Sequence, residues 1–156
     1  MKQLIFFFIQ ILSICLFPYN AESQAKKNFP FHKVEGFRPR LNAFTGTGLT
    51  VEMFSGKDAF LNIFEKSSGH KTSSGPDYSR ETLIACFGNK TTTETMVSLE
   101  KIEGSGGVLR VYFKAVYGKK LARPMVPYAV YRFVHDPSLS GIDYYINGKL
   151  FQELRN

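Results

Sequence analysis

The sequence predicts an α+β fold, mainly antiparallel β-sheet with one short packed helix and a C-terminal β-hairpin. Three observations carry that expectation. Residues 82–87 are apolar without interruption after Thr82, as in a strand covered on both faces. Residues 95–102, 108–117 and 126–134 alternate, or nearly so, at the two-residue period of a pleated strand. Residues 57–66 alone carry a helical stripe, with Phe60, Ile63 and Phe64 at i, i+3 and i+4.

In chain order, residues 1–25 read as a signal peptide: Lys2 precedes an apolar core from Leu4 to Phe17, too short to span a bilayer comfortably. Small residues at 21 and 23, and again at 23 and 25, place cleavage after Ser23 or Ala25. Cys15 follows Leu12-Ser13-Ile14, but a lipobox wants a small residue where the bulky Ile14 stands, so lipidation at Cys15, the one route to membrane association, is not expected. The mature chain would retain one cysteine, Cys86, and so no internal disulfide. The leader contains one lysine and one glutamate, so its removal leaves the net charge at +7. For an exported protein in the periplasm, at the cell surface or outside the cell, such an excess points to acidic proteins, envelope polyanions or anionic lipid. Nucleic acid is not expected as a partner, because the basic residues are dispersed and the aromatics sit at core spacing.

Residues 26–48 are expected to form a lead-in and first strand. The lead-in to Val34 should be loosely held, and strands at 37–44 and 49–54 should flank a Thr45-Gly46-Thr47-Gly48 turn. Pro39 cannot donate to a ladder and marks the first of these as an edge or bulged strand. Ser55 is placed to cap the helix, with Asp58 completing the cap. Gly69 should stop the helix, and the Ser/Gly/Pro-rich residues 67–79 connect it to the central strand. The glycine-rich residues 103–107 predict a hairpin, after which Leu109, Val111, Phe113, Ala115 and Tyr117 share one strand face and Arg110, Tyr112 and Lys114 the other. Residues 119–124 read as a basic connection. In the tail, Asn147-Gly148 between apolar runs predicts a type I′ hairpin.

Three stretches, Tyr78-Ser79-Arg80-Glu81-Thr82-Leu83-Ile84-Ala85-Cys86-Phe87-Gly88, Val97-Ser98-Leu99-Glu100-Lys101-Ile102 and Leu109-Arg110-Val111-Tyr112-Phe113, resemble the C-terminal domain of PrcB-type protease complex subunits. The resemblance covers about residues 49–134, with a short helix at 58–66, a threonine-rich turn at 91–93 and a closing strand at 126–133. It implies an exported bacterial accessory protein, without enzymatic activity or cofactor, that binds and stabilises a secreted or surface protease. On this reading residues 49–156 are the PrcB C-terminal-like domain with the terminal hairpin added. The chain departs from the family in lacking a convincing lipobox and the glycine pair many members carry where Thr92 and Thr93 stand.

No residue constellation suggests catalysis. His70, Asp77 and Ser79 are near neighbours, but in a Ser/Gly/Pro-rich stretch with no nucleophile elbow and no oxyanion donor. His32, His70 and His135 have no metal-ligand spacing. The Gly46-Thr47-Gly48 and 104–107 glycines lack the lysine and the strand-to-helix setting of a phosphate loop. Asn89-Lys90-Thr91 satisfies the N-glycosylation pattern, a modification not expected in a bacterial protein. The candidate partner-binding surface is therefore Arg110, Tyr112 and Lys114 on a strand face with Lys119, Lys120 and Arg123 in the adjoining connection. A protein partner, which the resemblance implies is a protease, is the first expectation; an anionic polysaccharide or lipid surface met by a structural or ligand-binding envelope protein is the alternative.

Overall fold

The computed structural model describes residues 26–40, 44, 46–68 and 75–155, and its middle layer is organised by β6 (Thr82–Gly88). Side chains along a strand point alternately to opposite faces, so an unbroken apolar run needs cover on both. Ile84 and Cys86 enter one core; Leu83, Ala85 and Phe87 enter a second. β6 pairs antiparallel with β4 (Leu49–Phe54) on one side and β9 (Tyr128–Phe133) on the other, and β2 (Phe31–Lys33) extends the sheet beyond β9.

Across the first core lies a five-stranded sheet in the order β1 (Lys27–Asn28), β7 (Thr91–Ser105), β8 (Val108–Met125), β10 (Gly141–Ile146), β11 (Lys149–Arg155). Ile102, Leu109, Val111, Phe113 and Tyr144 from this sheet pack with Ile84, Cys86, Tyr131 and Phe133. Burying each such side chain stabilises the fold by about 1.5–3 kcal/mol. β10 runs parallel to β8, from Gly141 opposite Val108 to Ile146 opposite Phe113. A parallel pair needs a crossover, and here the chain passes through β9 in the other sheet between the two. β10 and β11 pair antiparallel around Asn147 and Gly148, whose φ of 52° and 74° are the left-handed values a type I′ turn requires.

The second core is covered by α1 (Lys57–Ile63) and a two-stranded ribbon of β3 (Phe37–Pro39) and β5 (Phe64–Lys66). It is largely aromatic. The Phe60 and Phe64 rings stack at 4.8 Å, and Phe37 and Phe54 meet Phe60 edge-on at 5.1 and 5.5 Å. Each such pair adds ~0.5–1.5 kcal/mol beyond burial.

The structure departs from the sequence expectations at several elements. The helix ends at Ile63, and Phe64 is extended, with φ −114° and ψ 148°, although its ring still occupies the predicted apolar stripe. Pairing with β3 satisfies the backbone that a longer helix would have satisfied internally. Ser55 is not the cap: Gly56 holds that position without a side-chain hydrogen bond, while Asp58 lies in the first turn, where a negative charge favours the exposed amides. The predicted hairpin of 37–44 with 49–54 does not form. β3 pairs with β5 and β4 pairs with β6, because Phe37 is drawn to the helix-side aromatics and β6 offers β4 a strand apolar on both faces. Pro39 has a single neighbouring strand, so its missing donor can face the open side. Residues 41–43 and 45 of that hairpin, like the signal peptide with Cys15, lie outside the described residues.

The lead-in is not loose. Phe29 is buried against Phe133, its amide donates to the Ile102 carbonyl at 2.9 Å, and β1 and β2 on either side of it join opposite sheets. Alternation of Phe29 and Phe31 around Pro30 was too short to read as strand. Among the described residues, no helix is long and apolar enough to cross a membrane.

Candidate binding surface

Arg110, Tyr112 and Lys114 alternate along β8 with the core residues Leu109, Val111 and Phe113, which turns them to the outer face of the five-stranded sheet. The register then decides what each meets. β7 places Glu103 opposite Arg110 and Lys101 opposite Tyr112, while β10 places Asp143 beside Arg110 and Tyr145 beside Tyr112. Glu103 and Asp143 are only 4% and 5% exposed, and a buried carboxylate must be paired.

Glu103 is held by Lys26 at 2.8 Å, by Lys101 at 3.1 Å and by the Tyr112 hydroxyl, which donates to it at 2.9 Å. Burial by itself would raise the Glu103 carboxyl; these donors outweigh it and hold it down at about 2. Burial, reinforced by the bond to Glu103, pushes the Tyr112 phenol up to about 12. Its ring stacks on Tyr145 at 4.6 Å, and the Lys101 ammonium lies 4.1 Å from the ring centroid. Asp143 lies between Arg110, at 3.6 Å, and Arg155, at 2.5 Å. Arg110 and Tyr112 are thus members of an internal network, and Lys114 reaches only an exposed Glu100 at 4.0 Å, a pairing of little energetic weight.

The other three candidates are in a different setting. β10 stops at Ile146, opposite Phe113, and the Asn147 side chain prolongs the ladder by one residue: its Oδ1 accepts from the Ala115 amide at 2.9 Å, and its Nδ2 donates to the Ala115 carbonyl at 3.0 Å. Beyond that point β8 continues to Met125 with β7 as its single partner, forming a two-stranded arm. Residues 119–124 are therefore part of a strand, where a connection was expected. The run Thr91-Thr92-Thr93, expected as a turn, supplies the opposing strand, since β-branched side chains favour extended backbone. Pairing is irregular here: two steps on β7, Thr93 to Thr91, face five on β8, Lys120 to Met125, so 121–124 bow outward.

Lys119, Lys120 and Arg123 are all exposed on this arm, and among the described residues no carboxylate lies within ion-pairing distance of them. The arm also exposes large apolar groups. Met96 and Val116 are register partners, 60% and 43% exposed, and Tyr117, expected to share the core face, is 61% exposed. The strand outruns the core that would have covered it. A second exposed apolar strip, Leu150, Phe151 and Leu154 on β11, lies on a sheet edge with a bulge opposite Tyr144 and Tyr145 and basic residues at both ends, features that resist strand addition.

Of the residues weighed for catalysis, Asp77 and Ser79 bond to each other. The Asp77 carboxylate accepts from both the amide and the hydroxyl of Ser79, at 3.1 and 2.6 Å, and Asp136 holds Ser138 in the same way. Hydrogen bonds from Ser79 hold the Asp77 carboxyl below its ordinary value. His70 lies outside the described residues. Burial pushes the Cys86 thiol up to about 12, which keeps it a protonated core side chain. Among the described residues no group of three or more His, Cys, Asp or Glu side chains is placed to hold a metal ion.

The fold and this surface describe a β-rich protein of two larger sheets and a two-stranded ribbon, with a helix-side aromatic layer and a basic two-stranded arm. No family model matches the chain, nor does any curated protein or solved structure. The resemblance to PrcB-type subunits accordingly rests on the residues between 49 and 134 alone.

Proposed function

We propose that the protein is an exported, non-catalytic binding subunit whose β7–β8 arm docks on an acidic face of a secreted or surface protein. A protease is the partner that the PrcB-type resemblance implies. The observation that supports this most is that the exposed Met96–Val116 pair shares with Lys119, Lys120 and Arg123 a two-stranded ribbon that continues past the end of β10. Methionine and arginine are enriched in the centres of interfaces, and unpaired cations speed encounter with an acidic partner. The partner would gain stability by mass action, because only its folded form presents the contact face.

The test is capture of envelope and secreted proteins on the tagged mature chain at low salt, read by mass spectrometry, against a variant carrying Lys119→Glu, Lys120→Glu and Arg123→Glu. A peptidase retained by the native chain and lost from the variant, with thermal unfolding unchanged, is the expected result. Equal recovery of the same proteins on both would rule out the arm as the docking surface.

A further inference from the structure

We propose that the cleft where the arm leaves the body binds a sugar unit bearing a carboxylate. The cleft has a volume of about 360 Å³, within the ~300–1,000 Å³ of small-ligand sites. Four separate stretches of chain wall it: the start of β4, the turn between β6 and β7, the inner face of the arm, and Pro127. Its shape is fixed by backbone contact. Gly48, at φ +84°, brings its carbonyl so close to Gly88 that a Cβ there would lie 2.6 Å from it, and the Asn89 Nδ2 donates to the Gly46 carbonyl.

The chemistry of the walls selects the ligand. Leu49 and Pro127 provide a small apolar floor, and Tyr117 presents an exposed ring as one wall. Tyr112, five residues earlier on the same strand, occupies its ring with Tyr145 and Lys101, whereas no aromatic ring or cation packs on Tyr117 among the described residues. A ring of this kind can cover the aliphatic face of a pyranose while its hydroxyl stays available for hydrogen bonding. Around it, the Asn89 side-chain oxygen can accept. Thr91 can donate its hydroxyl proton, because that oxygen already accepts from the Thr93 amide at 3.1 Å. These groups match sugar hydroxyls, which both donate and accept.

The charge is one-sided. No acidic residue lines the cleft, Lys90 does, and the register of Thr93 with Lys120 and Thr95 with Tyr117 puts Lys120 on the same strand face as the tyrosine. Ammonium groups beside an aromatic wall favour a carboxylated sugar over a neutral one. This site is distinct from the docking pair Met96 and Val116: Val116 precedes Tyr117 on β8, so its side chain leaves by the opposite face.

The probes are glucuronate, glucose and acetate, each titrated into the mature chain and followed through backbone amide chemical shifts. Glucuronate is expected to shift residues 89–91 and 117 in the millimolar range, at least fivefold tighter than glucose. Tyr117→Ala should weaken both sugars at least tenfold, and Lys90→Ala should weaken glucuronate while leaving glucose unchanged. Both side chains are exposed at the surface, so the variants should keep the native unfolding temperature, measured alongside. Acetate reproducing the glucuronate shifts at equal concentration, shifts confined to other residues, or a Tyr117→Ala variant that binds as the native chain does would each overturn the proposal. Lys120 is common to both surfaces, but Tyr117 and Lys90 are native in the capture variant and Lys119, Lys120 and Arg123 are native in the sugar titrations, so the two proposals are read on different substitutions.

Discussion

The two halves of β8 carry the same kind of sequence and have opposite fates. Up to Phe113 the strand is flanked by β7 and β10, and its outward Arg110 and Tyr112 are drawn into contact with the buried Asp143 and Glu103. From Val116 onward β10 is gone, no buried acid lies alongside, and the cations and apolar groups face solvent. Alternation of charged and apolar residues therefore specifies which way a side chain points, and the neighbouring strand specifies whether it is available to a partner. Asn147 stands at the border between the two regimes.

Breaking the body half should have the largest effect. Phe113→Ala removes a fully buried ring from the main core and should cost about 3–5 kcal/mol in urea unfolding, whereas Val116→Ala, three residues on, should change stability by less than ~0.5 kcal/mol. Comparable losses from the two would erase the distinction between body and arm.

The border itself is sharpened by Asn147. Alanine there loses both side-chain bonds to Ala115 and must adopt a φ of 52° that it disfavours, a loss of about 1–3 kcal/mol. Glycine tolerates the φ and loses only the bonds. Asn147→Gly should accordingly fall between the native chain and Asn147→Ala in denaturant midpoint. If glycine restores the native midpoint, the side-chain continuation of the ladder has no energetic weight.

The smallest effect is electrostatic and appears on acidification. The Glu103 carboxyl is held at about 2 when folded against 4.5 ordinarily, so its stabilisation is complete above pH 4.5 and disappears as pH falls toward 2. Because the lysines holding it are half-exposed and screened, about 1–2 kcal/mol is expected. Stability measured across that window should flatten by this amount in Glu103→Gln. An unchanged slope would show that the network does not hold the carboxylate in its charged form.

What could be read from the residues was local. The double-faced burial of residues 82–87 follows from an apolar run that only a middle strand can accommodate, and the structure places β6 between two cores. The strand face of Leu109, Val111, Phe113 and Ala115 follows from period two, and all four are buried. The same rule failed at Tyr117, because alternation does not reveal where a sheet ends. Of the six candidate surface residues, each was legible as outward-facing, and all of them are at least partly exposed. That Arg110 and Tyr112 answer to Asp143 and Glu103 was not legible, since the first of these acids lies in the tail and looked like part of a plain hairpin.

The sequence by itself determined the β-rich class, the aromatic helix stripe and the facing of each strand, because these depend on a side chain and its neighbours within a few positions. The pairing of β3 with β5, the locking of Phe29, and the parallel entry of β10 beside half of β8 were decided only in three dimensions. Each joins residues distant along the chain, where many pairings satisfy the local pattern and the one that buries the most apolar surface while leaving the fewest unpaired polar groups prevails.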